Sequence, residues 1–132
     1  MDKNQQQLLF KLSMFEQQIR QLQQQLQAVE KNIEELGSLD FGLDEIKNSE
    51  GKEILASFGR GIFVKAKIVP DDLMVDVGSK NFVKKSIPDT KKIIREQIKK
   101  LEEIKGELEK KIEEINEKAT EMIINAQGKE KN

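Results

Sequence analysis

Two hydrophobic seams, one in each terminal arm, constrain the fold of this chain more than anything else in its sequence. In the N-terminal arm Leu8, Leu12, Phe15, Ile19, Leu22, Leu26, Val29, Ile33 and Leu36 follow one another at alternating steps of four and three. In the C-terminal arm the same alternation runs Ile94, Ile98, Leu101, Lys105, Leu108, Ile112, Ile115, Ala119, Met122 and Ala126, with Lys105 as its polar break. Apolar residues repeating every 3.5 positions make two helices wind around each other, because a straight helix would carry the stripe off the facing surface. Leu8 to Leu36 is as long a stretch as Ile94 to Met122. The spacing predicts two equal arms folding back as one antiparallel coiled coil.

Composition agrees with a rod and disfavours a thick core. Of 132 residues, 36% are charged and only 5% aromatic, with no His, Cys, Trp or Tyr. Helical rods need little core and much charge. The net charge is −1, and no basic face marks a nucleic-acid partner, which would need clustered Lys and Arg against phosphate. Without cysteine there is no disulfide and no thiolate chemistry. No run approaches the about 20 apolar residues of a membrane span, and MDKNQQQLLF lacks the apolar stretch of a signal peptide. A cytoplasmic protein with no membrane and no nucleic-acid partner is expected.

The N-terminal helix is expected over residues 4–36, with Gly37 directly after the last seam residue as its left-handed end. Its outer faces are rich in Gln, which favours helix without adding charge. Residues 37–52, with Gly42, Asn48, Ser49 and Gly51, read as a connector. From Glu53 the period changes to two. EILASF, GRG and IFVKAKIV read as two strands around a Gly-rich turn; after Pro70-Asp71-Asp72, LMVDV, GSK and NFVKKSI repeat the arrangement. Residues 53–87 are thus two β-hairpins. A second helix is expected over 88–126, capped by Ser86 or Asp89, with Glu96–Lys100, Glu107–Lys111 and Glu114–Lys118 as i,i+4 pairs. Residues 127–132 are expected to fray.

Two hairpins of short strands leave unpaired edges, and isolated hairpins are marginal in water. The seams are occupied by each other, so the strand residues need cover from elsewhere. Hairpins from several chains combining into one β-structure would provide it; the alternative is a small closed sheet on the base of the rod. The strand residues assigned to assembly are Ile54, Leu55, Phe58, Ile62, Phe63, Val64, Ile68, Leu73, Val75, Val77, Phe82 and Val83.

Apolar residues off the seam gather mostly at the open end, Ala28, Ile93 near the base and Ile104 being the others. Leu9, Phe10 and Met14 lie in the first fifteen residues, and the hairpin register sets Leu8 beside Met122, bringing Ile123 and Ile124 to the same place. A two-stranded seam buries only its own stripe, so these side chains should be partly exposed, and exposed apolar patches signify an interaction surface. The alternative is a wider stripe that resists fraying or packs on itself. Lys105, on the seam and followed by Gly106, reads either as a register device or as a compliant point.

Helix, two hairpins and helix in this length resembles the prefoldin family, and GKEILASFGRGIFVKAKIVPDDLMVDVGSKNFVKKSI, residues 51–87, is similar to its archaeal alpha class. Beta-class subunits carry one hairpin in this region. The resemblance implies an α+β fold in which a long antiparallel coiled-coil hairpin bears two β-hairpins contributing to an oligomeric β-barrel. It also implies an ATP-independent holdase of two alpha-class and four beta-class subunits, which traps unfolded client proteins at the coiled-coil tips and delivers them to a group II chaperonin. Carried onto this sequence, the client-binding residues would be Leu8, Leu9, Phe10, Met14, Phe15, Met122, Ile123 and Ile124.

A prefoldin-like scaffold or filament former without client binding is the alternative, although a spacer has no need of exposed Leu, Phe and Ile at its tip. Enzyme chemistry is not expected. Asp71-Asp72, Glu102-Glu103 and Glu113-Glu114 fall in a turn or on wet helix faces, and carboxylates become catalytic when buried or paired in a cleft. No cofactor or metal is expected either; GRG lacks the following Lys and helix of a phosphate loop.

Overall fold

The structure, a computed structural model, describes residues 2–70 and 72–130. The order of elements is α1 (Lys3–Ile46), β1 (Glu53–Gly59), β2 (Ile62–Lys67), β3 (Leu73–Asp76), β4 (Phe82–Lys85) and α2 (Ile87–Glu130). Asp71, expected in the turn before β3, and the last two residues of the expected tail lie outside the described residues. The chain divides into two compact units, one formed by residues up to Ile33 and from Lys100 onward, the other by Glu34–Lys99.

In the first unit the seam is visible in the burial pattern. Leu8, Leu12, Phe15, Ile19, Leu22, Leu26, Val29 and Ile33 are half-buried, and the residues between them are exposed. The facing segment repeats this at Leu101, Lys105, Ile112, Ile115, Ala119, Met122 and Ala126, with Leu108 buried. Asp2 caps α1, its carboxylate accepting from the Gln5 N–H at 2.8 Å.

In the second unit Leu43, Ile87 and Ile94 form the buried cluster, with Leu36, Ile46, Leu73 and Ile98 packed against it. Ser86 is the cap of α2: its Oγ accepts from the Asp89 N–H at 3.2 Å, while the buried Thr90 donates its hydroxyl to the Ser86 carbonyl at 2.8 Å. β1 pairs antiparallel with β2 and β3 with β4, as two separate two-stranded sheets. Among the described residues the hairpins do not join into the small closed sheet that was the alternative to assembly.

Four expectations need correction. First, α1 does not end at Gly37 but runs through Gly37 and Gly42 to Ile46, taking in most of the expected connector. The reason is energetic. Each interior glycine costs about 1 kcal/mol relative to Ala, whereas full burial of one Leu or Ile side chain gains about 1.5–3 kcal/mol. Leu43 is buried against Ile87 and Ile94 only if the helix continues. No left-handed residue directly follows Ile46; the first positive φ comes at Gly51, 75°, in the turn that leads into β1. Second, α2 continues to Glu130 rather than fraying from residue 127, since neither Pro nor a left-handed residue interrupts it. Third, the helices do give one strand cover: Leu73 of β3 packs on the helical cluster.

Fourth, none of the three expected Glu–Lys pairs of α2 closes to ion-pair distance among the described residues; the i,i+4 pair that does is Glu16–Arg20, at 3.5 Å. Exposed ion pairs gain little over two freely solvated side chains, so open geometry costs α2 almost nothing.

A Cβ added at Gly37 or Gly42 meets no atom within 4 Å. Gly37→Ala and Gly42→Ala should therefore each raise unfolding stability by about 0.5–1 kcal/mol. Denaturant titration checks this, and a lower midpoint in either variant would contradict a helix through these positions.

Candidate functional sites at the helix ends and on the hairpins

At the open end of the first unit, Leu8 of α1 and Met122 of α2 line one groove together with Asp2, Gln5, Lys11 and Asn125. The sequence register that places these two side chains together is thus the register seen. Both are half-buried, as is Phe15, because they belong to the seam. Leu9, Phe10, Met14, Ile123 and Ile124 lie off it and are exposed, Phe10 the most so at 68%. The eight side chains assigned to this end therefore comprise three seam residues and five that present apolar surface to solvent. Asp2 and Lys11 are the ionisable residues of the groove; what the arrangement offers is apolar area on two helices.

The hairpins present apolar surface on both faces. In β1–β2, Ile54 lies opposite Ala66 and Ala56 opposite Val64, making one wholly apolar face; Leu55 opposite Lys65 and Ser57 opposite Phe63 make a mixed one. The register slips between Ser57 and Gly59, so Phe58 sits in a bulge, and it is the most exposed large apolar side chain described, at 81%. Bulges re-aim a side chain and end pairing. In β3–β4, Val75 lies opposite Val83 and Asp76 opposite Phe82.

Of the strand residues assigned to assembly, Ile54, Leu55, Phe58, Ile62, Phe63, Val64, Val77, Phe82 and Val83 are exposed, Ile68 and Val75 are half-buried, and Leu73 belongs to the core of its own chain. Sequence reasoning missed Val69, Met74, Leu39 and Phe41, all exposed. Met74 alternates with Leu73 and Val75 and was legible as the opposite face of β3. Leu39 and Phe41 could not be read as helix surface while α1 was ended at Gly37.

The acidic pairs give no site. Asp72 is ion-paired with Lys84 at 2.7 Å, and Glu102, Glu103, Glu113 and Glu114 are exposed on α2. Among the described residues, no helix is long and apolar enough to cross a membrane.

A polar cluster that the sequence did not announce lies in the second unit. Lys91 donates to Asp44 Oδ1 at 2.5 Å and stands 3.9 Å from Asp40 Oδ1, and Arg95 Nε lies 3.5 Å from the same Asp40 oxygen. The hydrogen bond from Lys91, aided by the positive charges of Lys91, Arg95 and Lys47, holds the Asp44 carboxyl below its ordinary value of 3.8 against a smaller opposing effect of desolvation.

Because that value is lowered in the folded chain, the stabilisation is complete above the ordinary carboxyl value and is lost as pH falls through the lowered one. Asp44→Asn should therefore be less stable than the parent by a constant margin at neutral and mildly acidic pH, and the margin should close as pH drops below 3.8. Thermal midpoints measured between neutrality and strong acid check this; a margin that persists in strong acid would assign the loss to packing instead.

Comparison with known proteins follows the same architecture. Residues 15–132 match the family described as prefoldin subunit. The chain is 26% identical over 89 residues to prefoldin subunit alpha of Methanosphaera stadtmanae, covering 67% of this chain and 64% of that one. It is 34% identical over 91 residues to prefoldin subunit alpha of Methanococcus aeolicus, covering 67% and 61%. It thus spans somewhat under two thirds of the length of the curated relatives it matches. Among solved structures it resembles a chain of the cryo-EM structure of filamentous PFD from Methanocaldococcus jannaschii, with a TM-score of 0.76, 26% identity, and coverage of 86% of this chain and 96% of that one.

Proposed function

This chain belongs to the prefoldin family, and from that premise we propose that it is an alpha-class subunit of an ATP-independent holdase. In this reading the hairpins assemble with beta-class subunits, two alpha to four beta, into a β-barrel base. The open ends of the coiled coils capture non-native proteins in the cytoplasm and pass them to a group II chaperonin. The observation that carries the reading is the set of five exposed apolar side chains, Leu9, Phe10, Met14, Ile123 and Ile124, gathered beside Leu8 and Met122. A purely structural arm gains nothing from leaving them in water.

Binding of this kind is hydrophobic and weak at each arm. Several arms on one client raise the combined affinity without any tight single contact, and so permit release without nucleotide. Met14 and Met122 suit the task, since an unbranched thioether repacks against surfaces of varied shape. The bulged Phe58 and the apolar face of Ile54, Ala56, Val64 and Ala66 support assembly through the hairpins.

Replacing Leu9, Phe10, Ile123 and Ile124 together with Ser should abolish suppression of aggregation of a denatured test protein, with the mass of the complex unchanged by light scattering. Loss of assembly in that variant would make the patch structural. Phe58→Ser and Phe63→Ser should do the reverse: the helical circular dichroism is kept and the complex dissociates, whereas an undiminished complex would remove the hairpins from the interface.

A second reading, a filament-forming scaffold, is favoured by the likeness to a filamentous PFD. Electron microscopy separates the two, since a closed particle that protects a client supports the holdase and an extended polymer that protects nothing supports the scaffold.

A further inference from the structure

The seam does not stop where the apolar residues stop. Continued past Leu36 by the same steps it reaches Asp40 and then Leu43; continued back from Ile94 it reaches Lys91 and then Ile87. Asp40 and Lys91 thus stand at seam positions on facing helices, between layers of Leu and Ile, and Lys91 keeps only 13% of its side chain exposed. We propose that Lys91, held between Asp40 and Asp44, is the positioning residue that fixes the axial register of α1 against α2.

The apolar layers cannot do this. Leu36, Leu43 and Ile46 pack with Ile87, Ile94 and Ile98, and a slip of one heptad that moves Leu36 to the place of Leu43 would set Val29, Leu36 and Leu39 there instead, apolar residues again at nearly equal cost. Lys105 cannot do it either, because every seam residue from Leu8 to Leu36 is apolar and offers it the same surroundings in any register.

Lys91 differs in having partners at one register only. Shifting α1 by seven residues so that Leu36 takes the place of Leu43 replaces Asp40 and Asp44 with Ile33 and Gly37; the opposite shift would call on residues 47 and 51, beyond the end of α1 at Ile46. In the first case a lysine whose side chain is only 13% exposed loses both carboxylates; in the second the apolar layer itself is lost, since Glu50 would stand where Leu43 packs. An enclosed charge is tolerated only while paired, so the slip that the apolar layers would allow is the one Lys91 selects against.

The layer is built for selection rather than for strength. Asp40 Oδ1 is buried and accepts no hydrogen bond among the described residues, although Arg95 Nε and Lys91 Nζ are 3.5 and 3.9 Å away. A half-satisfied polar group is a poor stabiliser, but a polar residue at a seam position is an effective means of fixing register at a cost in stability.

The chain has no cysteine, so engineered disulfides report register directly. The pair Leu36→Cys with Ile94→Cys reads the native register, and Leu36→Cys with Ile87→Cys reads a slip of one heptad, natively separated by roughly 10 Å of helix axis and too far to bridge. In the otherwise unchanged chain only the first pair should give an intrachain disulfide, read by mass under mild oxidation.

With Asp40→Leu and Lys91→Leu added, the thermal midpoint should hold or rise while the slipped pair becomes oxidised at least tenfold more than before. Lys91→Met serves in the same assay if the double variant does not fold, and Lys91→Arg should restore the single native disulfide. If the slipped pair stays reduced in the folded variants lacking Lys91, register is set elsewhere and the proposal is overturned.

Discussion

Stripe-on-stripe packing between the two helices is the constraint from which the rest of the structure follows. It is thin. Among the described residues the buried apolar side chains are Leu43, Ile87, Ile94 and Leu108, and no large side chain is fully enclosed. Every other seam residue keeps part of its surface in water, so each layer contributes only part of the about 1.5–3 kcal/mol that full burial of a large aliphatic residue provides. The helices are held by repetition of a modest contact, which is why the period must be kept without a gap. It is also why two interior glycines in α1 are tolerated where Leu43 lies beyond them.

A fold that spends its main apolar contact on one seam has no second layer for anything else. Between Ile54 and Val83 the chain exposes Ile, Leu, Phe, Val and Met side chains on two short hairpins, and each two-stranded sheet has open edges on both sides. Leu73 is the residue by which a strand anchors to the helical core. The bulge at Phe58 then turns the largest side chain of β1 out of the ladder. Exposed apolar surface of that extent signifies an interaction surface, and it lies on these strands independently of what the helix ends do.

Legibility in the sequence followed the range of the interactions. The seam, the four strands and their pairing could be read because each is a local period, two or 3.5, interrupted by turn residues at Gly59-Arg60-Gly61 and Gly78-Ser79-Lys80. The pairing of Leu8 with Met122 followed from equal arm lengths. Gly37 misled because a glycine after a seam residue is a good local end signal, and its override lies in Ile87 and Ile94, about fifty residues away. Once the helix was ended there, Leu39 and Phe41 lost their helical setting and Asp40 lost its place on the seam. The bulge at Phe58 has no local signature beyond the neighbouring glycine. Exposure at the tip was legible, because residues off a two-stranded seam have nothing to pack against.

Lys105 and Lys91 show how chemistry at one seam position can mean two different things. Lys105 is conspicuous in the sequence as a break in an apolar series, yet it is half-buried with no ion pair among the described residues, beside the buried Leu108. Its long aliphatic stem can lie along the seam while the ammonium reaches water, so its position costs little and selects little. Lys91 escapes notice because it precedes the apolar series, yet it is enclosed, with 13% of its side chain exposed, and has carboxylates from α1 on the facing side. Discrimination between registers requires that the wrong arrangement be expensive. Expense, for a lysine, comes from enclosure together with a partner that is present in one arrangement and absent in the next. By that criterion the informative polar residue of this seam is the one whose surroundings change on slipping, and the pattern break that first attracts attention is not.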